Sequence, residues 1–228
     1  YIAVMGDDSS TEQIDGFQEG ENMIWMVWDI LTCEEYKVNA LSDDSLFYST
    51  NGVSTLESLN HFSCQEIILP GGWFMYSSYI EIENMDAEIL MYQIQDNLII
   101  LKDNSGNVYL PEWSFNGIGE IDYHYGYQIK TNVIDVLEFC GLQMYPEQNP
   151  IILSAGWNLI SYLRETAESL EYVLESIDFD NNIIIVKDFN GAPYMPEYSF
   201  NGIGDMQPGQ GYQIKVNDES ILIYPENE

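Results

Sequence analysis

The stretch Pro111-Glu112-Trp113-Ser114-Phe115-Asn116-Gly117-Ile118-Gly119 returns as Pro196-Glu197-Tyr198-Ser199-Phe200-Asn201-Gly202-Ile203-Gly204. Chance does not write such a nonapeptide twice in 228 residues. The match extends outward. Lys102-Asp103 and Gly106 recur as Lys187-Asp188 and Gly191, and Gly126-Tyr127-Gln128-Ile129-Lys130 as Gly211-Tyr212-Gln213-Ile214-Lys215. Upstream, Ile67-Ile68-Leu69 and Gly72-Trp73 recur as Ile151-Ile152-Leu153 and Gly156-Trp157. The offset is 84 residues up to Trp73/Trp157 and 85 from Lys102/Lys187 onward, so the spacing predicts one residue gained between them. This is a tandem duplication of a folding unit, and a fixed internal period is read before any local pattern.

Composition narrows the classes. Hydrophobic residues make up 46% and aromatics 14%, enough for packed cores and against disorder. No apolar run approaches the ~18 residues of a membrane span. The net charge is −32, from 38 acidic and 6 basic residues. Such a surface repels nucleic acid, whose binding depends on Lys and Arg neutralising phosphates, and it repels anionic membranes. It favours solubility and divalent cations. Tyr1 opens directly on an apolar run, so a processed product or a fragment is expected.

Residues 1–66 have no second copy. Tyr1 to Met5 reads as a strand, followed by a turn cluster at Gly6-Asp7-Asp8-Ser9-Ser10-Thr11. Met23 to Trp28 is apolar on both faces, which predicts a central strand. Glu35 to Ala40 alternates, and Ser45 to Thr50 is a further candidate strand. The second module, 67–146, reads as strands at Ile67–Leu69 and Gly72–Tyr76, a helix over Met85–Gln95 capped by Asn84, and then strands to Phe139. The third, 147–228, repeats that plan, with Thr166 as helix cap. The expected fold is mainly β, a β-rich α+β arrangement. A small β-sandwich-like module is followed by two duplicated β-rich modules, each with one short helix.

Candidate chemistry is sparse. His61 and His124 have no partner at a zinc spacing. There is no G-x-S-x-G elbow or phosphate-binding glycine loop. Asp103-Asn104-Ser105-Gly106 and Asp188-Phe189-Asn190-Gly191 lack the alternating ligands of a calcium loop and read as hairpin turns. Asp7, Asp8 and Asp15 flank a turn and form the best cation candidate; calcium is the only cofactor suggested. Trp73, Tyr109, Trp113, Phe115 and Tyr127 recur as Trp157, Tyr194, Tyr198, Phe200 and Tyr212. Most read as core. Trp113 and Tyr198 are the pair expected at the surface, where they would bind a ligand by stacking. Lys102 and Lys187 invite ion pairs with Glu112 and Glu197, although a recent duplication would also leave them unchanged.

The run Gly156-Trp157-Asn158-Leu159-Ile160-Ser161, with Tyr194 to Gly204 and Pro208-Gly209-Gln210-Gly211-Tyr212-Gln213-Ile214-Lys215, resembles the tandem "GWN…GYQ" β-rich repeats. These occur in large secreted and cell-surface proteins of marine bacteria, often exported by the type IX route. Asp15-Gly16-Phe17, Gly20-Glu21 and Trp28-Asp29 are similar to the β module preceding such repeats. The resemblance implies a non-catalytic structural or adhesive segment, an adhesin-like or filament-forming part of an extracellular or cell-surface protein. A carbohydrate-binding module is the alternative reading; the chain is not read as an enzyme. Expected partners are other copies of the chain, neighbouring modules of the same protein, and surface polysaccharide, with no nucleic acid and no membrane insertion. A secreted context predicts that Cys33 and Cys64 pair within the first module, leaving Cys140 free. A first module entered part-way would leave an open sheet edge for a neighbouring copy to complete.

Overall fold

A computed structural model describes residues 3–7, 13–30, 33–42, 44–82, 85–177 and 182–227. The protein is mainly β, with two short α-helices among the described residues. It divides into two compact units, Tyr1–Ser63 and Cys64–Glu228.

In the first unit, β1 (Trp25–Asp29) pairs antiparallel with β2 (Glu34–Leu41). β2 pairs in turn with the start of β3 (Ser58–Leu69). β1 is therefore an edge strand, where the sequence predicted a central one. Apolar residues on both faces read as burial on both sides, yet Met26 is 50% and Trp28 58% exposed. Ala3 to Met5 forms no strand, and Tyr1 and Ile2 lie outside the described residues. The Ser45–Thr50 candidate reduces to one bridge, Phe47 to Asn22. Phe17 stacks on Tyr48 with ring centroids 5.8 Å apart.

The second unit holds both repeats. The first runs from the end of β3 through β4 (Gly72–Tyr76), β5 (Ile80–Glu81), α1 (Ala87–Met91), β6 (Leu98–Lys102), β7 (Val108–Leu110), β8 (Phe115–Asn116), β9 (Tyr127–Thr131) and β10 (Asp135–Gln143). The second comprises β11 (Ile151–Leu153), β12 (Gly156–Ile160), β13 (Glu168–Ser169), α2 (Leu170–Val173), β14 (Ile183–Lys187), β15 (Pro193–Met195), β16 (Phe200–Asn201), β17 (Asp205–Met206), β18 (Tyr212–Val216) and β19 (Ser220–Leu222). The principal sheets have matching orders, β4-β9-β6-β7-β8 and β12-β18-β14-β15-β16. The register shifts at the same place in both, at Ile99 and at Ile184. A bulge kept in both copies is inherited geometry.

The helices fall short of their predicted spans. α1 ends at Met91 and continues as a 3₁₀ turn to Ile94. Its cap is Asp86, whose carboxylate accepts from the Glu88 and Ile89 amides at 2.9 and 3.3 Å; Asn84, the expected cap, lies outside the described residues. Ser169, not Thr166, precedes α2. The Ala87 and Leu170 amides donate to the Gly119 and Gly204 carbonyls. Those amides are 83 residues apart (170 − 87) and those carbonyls 85 (204 − 119). One residue is thus lost before the helix and two are gained after it, which a single sequence offset conceals.

Each repeat has its own core. Ile67, Tyr76, Met91, Leu101 and Ile129 belong to the first; Ile151, Ile160, Val173, Val186 and Ile214 belong to the second. Fully burying one such aliphatic side chain stabilises by roughly 1.5–3 kcal/mol. The seam between the repeats is reciprocal. Gly211 N donates to Met75 O, and Gly126 N to Leu159 O, at 2.9 and 3.1 Å. Ser77 N donates to Gly209 O, and Ser161 N to His124 O, at 3.1 and 3.3 Å. Each of these four backbone bonds has a mate with the repeats exchanged, the signature of an isologous, pseudo-twofold interface.

Candidate functional site

The pentapeptide Gly-Tyr-Gln-Ile-Lys builds the site because alternate residues of a strand face opposite sides. Gly126 and Gly211 lie at the seam, where a Cβ would stand 2.8 Å from Ile160 O and 2.9 Å from Tyr76 O respectively. Tyr127 and Tyr212 point into the cores, and their hydroxyls accept from the Asp122 and Gln207 amides at 2.8 Å. Burial pushes both phenols up to about 12. Ile129 and Ile214 are fully enclosed. Gln128, Lys130, Gln213 and Lys215 therefore share the outer faces.

On those faces each repeat sets two lysines over one tryptophan. Lys130 and Lys102 Nζ lie 5.6 and 6.0 Å from the Trp73 ring centroid. Lys187 and Lys215 lie 5.3 and 6.0 Å from that of Trp157. The register explains one contact in each case, since Trp73 pairs with Lys130 and Trp157 with Lys215. Both indoles are about half exposed, at 49% and 48%. Four of the six basic residues thus gather on two rings. Among the described residues, no carboxylate lies within ion-pair distance of these four lysines. The predicted pairs Lys102–Glu112 and Lys187–Glu197 do not form. The glutamates stand in the 3₁₀ turns Pro111–Trp113 and Pro196–Tyr198, while the lysines lean toward indole.

An open cleft of about 350 Å³ separates the two faces. The first repeat contributes Trp73, Phe74, Met75 and Gln128; the second contributes Lys187, Asp188, Phe189, Gly191 and Gln213. Phe74 packs on Phe189 with centroids 4.6 Å apart. Asp188 is engaged by its own turn, accepting from the Ala192 amide at 2.7 Å and from Asn190 Nδ2 at 3.4 Å. Asp103 holds the equivalent turn through the Asn107 amide at 2.8 Å. Both segments are hairpin turns, as their spacing predicts.

The other candidates lie elsewhere. Trp113 and Tyr198 are 76% and 70% exposed, but neither lines the cleft. They precede Ser114 and Ser199, which adopt left-handed φ of 47° and 48°. Asp7 Oδ1 accepts from the Asp15 amide at 3.0 Å, so it closes a loop within the chain; Asp8 lies outside the described residues. His124 bonds Asp122 at 2.8 Å, and that bond holds the Asp122 carboxyl below the usual range. The disulfide joins Cys64 to Cys140, not Cys33 to Cys64, and Cys33 is exposed and free. The neighbouring strands β3 and β10 bring Cys64 and Cys140 together across 76 residues, which proximity in sequence did not suggest.

Sequence reasoning missed Trp73 and Trp157 as surface groups by reading recurrent aromatics as core. Tyr109, Tyr127, Tyr194 and Tyr212 are indeed buried, but Phe115 and Phe200 are about half exposed. The usable signal was the period-2 alternation that puts Trp73 opposite the side occupied by Tyr76. No family model, curated protein or solved structure matches the chain. The site is consequently defined by its own chemistry: paired indole–ammonium clusters around an aromatic-lined cleft.

Proposed function

We propose that the chain is a non-catalytic structural or adhesive segment of an extracellular or cell-surface protein that works by surface contact. One observation carries this reading. In a chain of net charge −32, four lysines, none paired with a carboxylate of the described residues, are held over two equivalent, half-exposed tryptophans. Each ammonium–indole contact contributes about 0.5–1 kcal/mol at an exposed site, so local stability is a minor return for such concentration. A contact surface uses the same groups fully. The Cys64–Cys140 disulfide suits an oxidising compartment. The open β1 edge supports self-association as part of the same role.

The test is adhesion. Beads coated with the whole chain are washed under flow over acidic-glycan, neutral-glycan and bare mineral surfaces. Retention on at least one surface, lost in the Trp73→Ala/Trp157→Ala double variant, is the expected result. Equal retention of variant and parent everywhere overturns the reading. A second reading, a carbohydrate-binding module, is favoured by the cleft. Its volume falls near the low end of the roughly 300–1,000 Å³ typical of small-ligand sites.

A further inference from the structure

We infer that the cleft between the repeats receives one sugar unit of an acidic glycan, a uronic-acid residue. This deepens the contact-surface reading and rests on it. The lining offers each group that such a unit requires. Trp73 presents a half-exposed indole, which stacks on the C–H face of a pyranose. Phe74 and Phe189 supply an apolar wall. Gln128 and Gln213 bring two side-chain amides, half-buried and without a hydrogen-bond partner among the described residues. Amides suit hydroxyls because each both donates and accepts.

Charge selects among sugars. Lys187 lines the cleft, and Lys130 and Lys102 flank Trp73. With 38 acidic residues in the chain, these ammonium groups remain unmatched by any carboxylate of the described residues. An incoming carboxylate completes them. The carboxylate that lines the cleft, Asp188, is committed to its turn. A charge-assisted hydrogen bond is roughly twice as strong as a neutral one, so the acid group and the stacked ring act together.

The two sides of the pseudo-twofold differ, and the difference is directional. Where this cleft has Phe74, the second repeat has Asn158; where it has Phe189, the first repeat has Asn104. Asn158 is buried and bonded to Ser154 and Gly156 of its own turn. Asn104 is exposed. The aromatic wall therefore belongs to one side only, although the duplication began with equivalent positions.

The experiment is titration calorimetry of the whole chain with three probes: an oligouronate, a neutral β-glucan oligomer of equal length, and a poly-glutamate peptide. The oligouronate is expected to bind, with the other two at least about tenfold weaker, a difference of about 1.4 kcal/mol. Trp73→Ala, Lys187→Gln and Phe189→Asn should each weaken it at least threefold to tenfold, on the order of one good contact. Phe189→Asn installs the first repeat's own residue, which keeps the fold test separate from the binding test. Tyr172→Ala, an exposed aromatic on α2 outside the cleft, should bind like the parent. Equal binding of β-glucan removes the acid requirement, and equal binding of poly-glutamate leaves an acidic segment of another copy as the ligand. Either result, or no oligouronate binding, overturns the inference. If bead adhesion still depends on Trp73 and Trp157 while oligouronate fails, the contact-surface reading stands and only this inference falls.

Discussion

Gly126 and Gly211 show how single residues set the seam. Their Cα atoms approach so closely that a Cβ on Gly126 would lie 3.2 Å from Gly211 Cα and 2.8 Å from Ile160 O. Those obstacles are backbone, which yields less readily than the end of a side chain. Gly126→Ala and Gly211→Ala should each destabilise the second unit by about 1–3 kcal/mol, the usual cost of overpacking. Because the two glycines touch, the double variant should depart from additivity by at least roughly 0.5 kcal/mol. Urea unfolding measures both; strict additivity would separate the two sites. Tyr127 and Tyr212 set a second residue-scale expectation. Burial raises both phenols from 10.0 to about 12, so the folded state holds its protons longer than the unfolded state. Their contribution is fully present below pH 10 and is lost as pH rises from about 10 to 12. Tyrosinate absorbance and unfolding should therefore rise together in that window. Titration of these two phenols with the fold intact at pH 10 would contradict their burial.

Elements were legible where local chemistry specifies them. The hairpin turns follow from Asp103-Asn104-Ser105-Gly106 and its copy, and the strands of both repeats follow from apolar runs between such turns. Pairing across long separations was not legible, because periodicity reports a strand's faces but not its neighbours. That is why β1 was expected inside a sheet and why Cys64 was assigned to Cys33. The cleft was hidden for the same reason: Phe74 and Phe189 meet only once the repeats have docked. The Cys64–Cys140 bond supplies a direct check at this scale. Denatured but unreduced protein should expose one thiol, Cys33, and three after reduction. Closing 76 residues restricts the unfolded chain by roughly 4 kcal/mol in the loop-entropy picture. Cys64→Ser/Cys140→Ser should accordingly lower the unfolding midpoint, whereas Cys33→Ser should leave it within about 0.5 kcal/mol of the parent, as for other exposed positions.

For the whole molecule, the reciprocal seam and the open edge lead to different kinds of assembly. The seam closes on itself: its backbone donors and acceptors are paired between the two repeats of one chain, so it offers no continuing backbone contact. β1 does offer one. It ends its sheet, no strand pairs with its outer side among the described residues, and Ile24, Met26 and Trp28 are 69%, 50% and 58% exposed. An apolar edge of this kind is a template for strand addition from another copy. Charge opposes the encounter, since each copy carries −32. Salt decides between them, because the screening length falls from roughly 10 Å at 0.1 M to about 3 Å at 1 M. Backbone pairing and apolar burial are not weakened in the same way. Sedimentation should find monomers in dilute buffer and concentration-dependent oligomers at high salt. Val27→Lys places on the edge the residue that natural sheets use to prevent pairing, and should keep the chain monomeric in both conditions. Oligomers that persist in the Val27→Lys variant would move the contact away from β1. A parent chain that stays monomeric at high salt would leave the edge unused and reduce the role to surface contact through the Trp–Lys clusters.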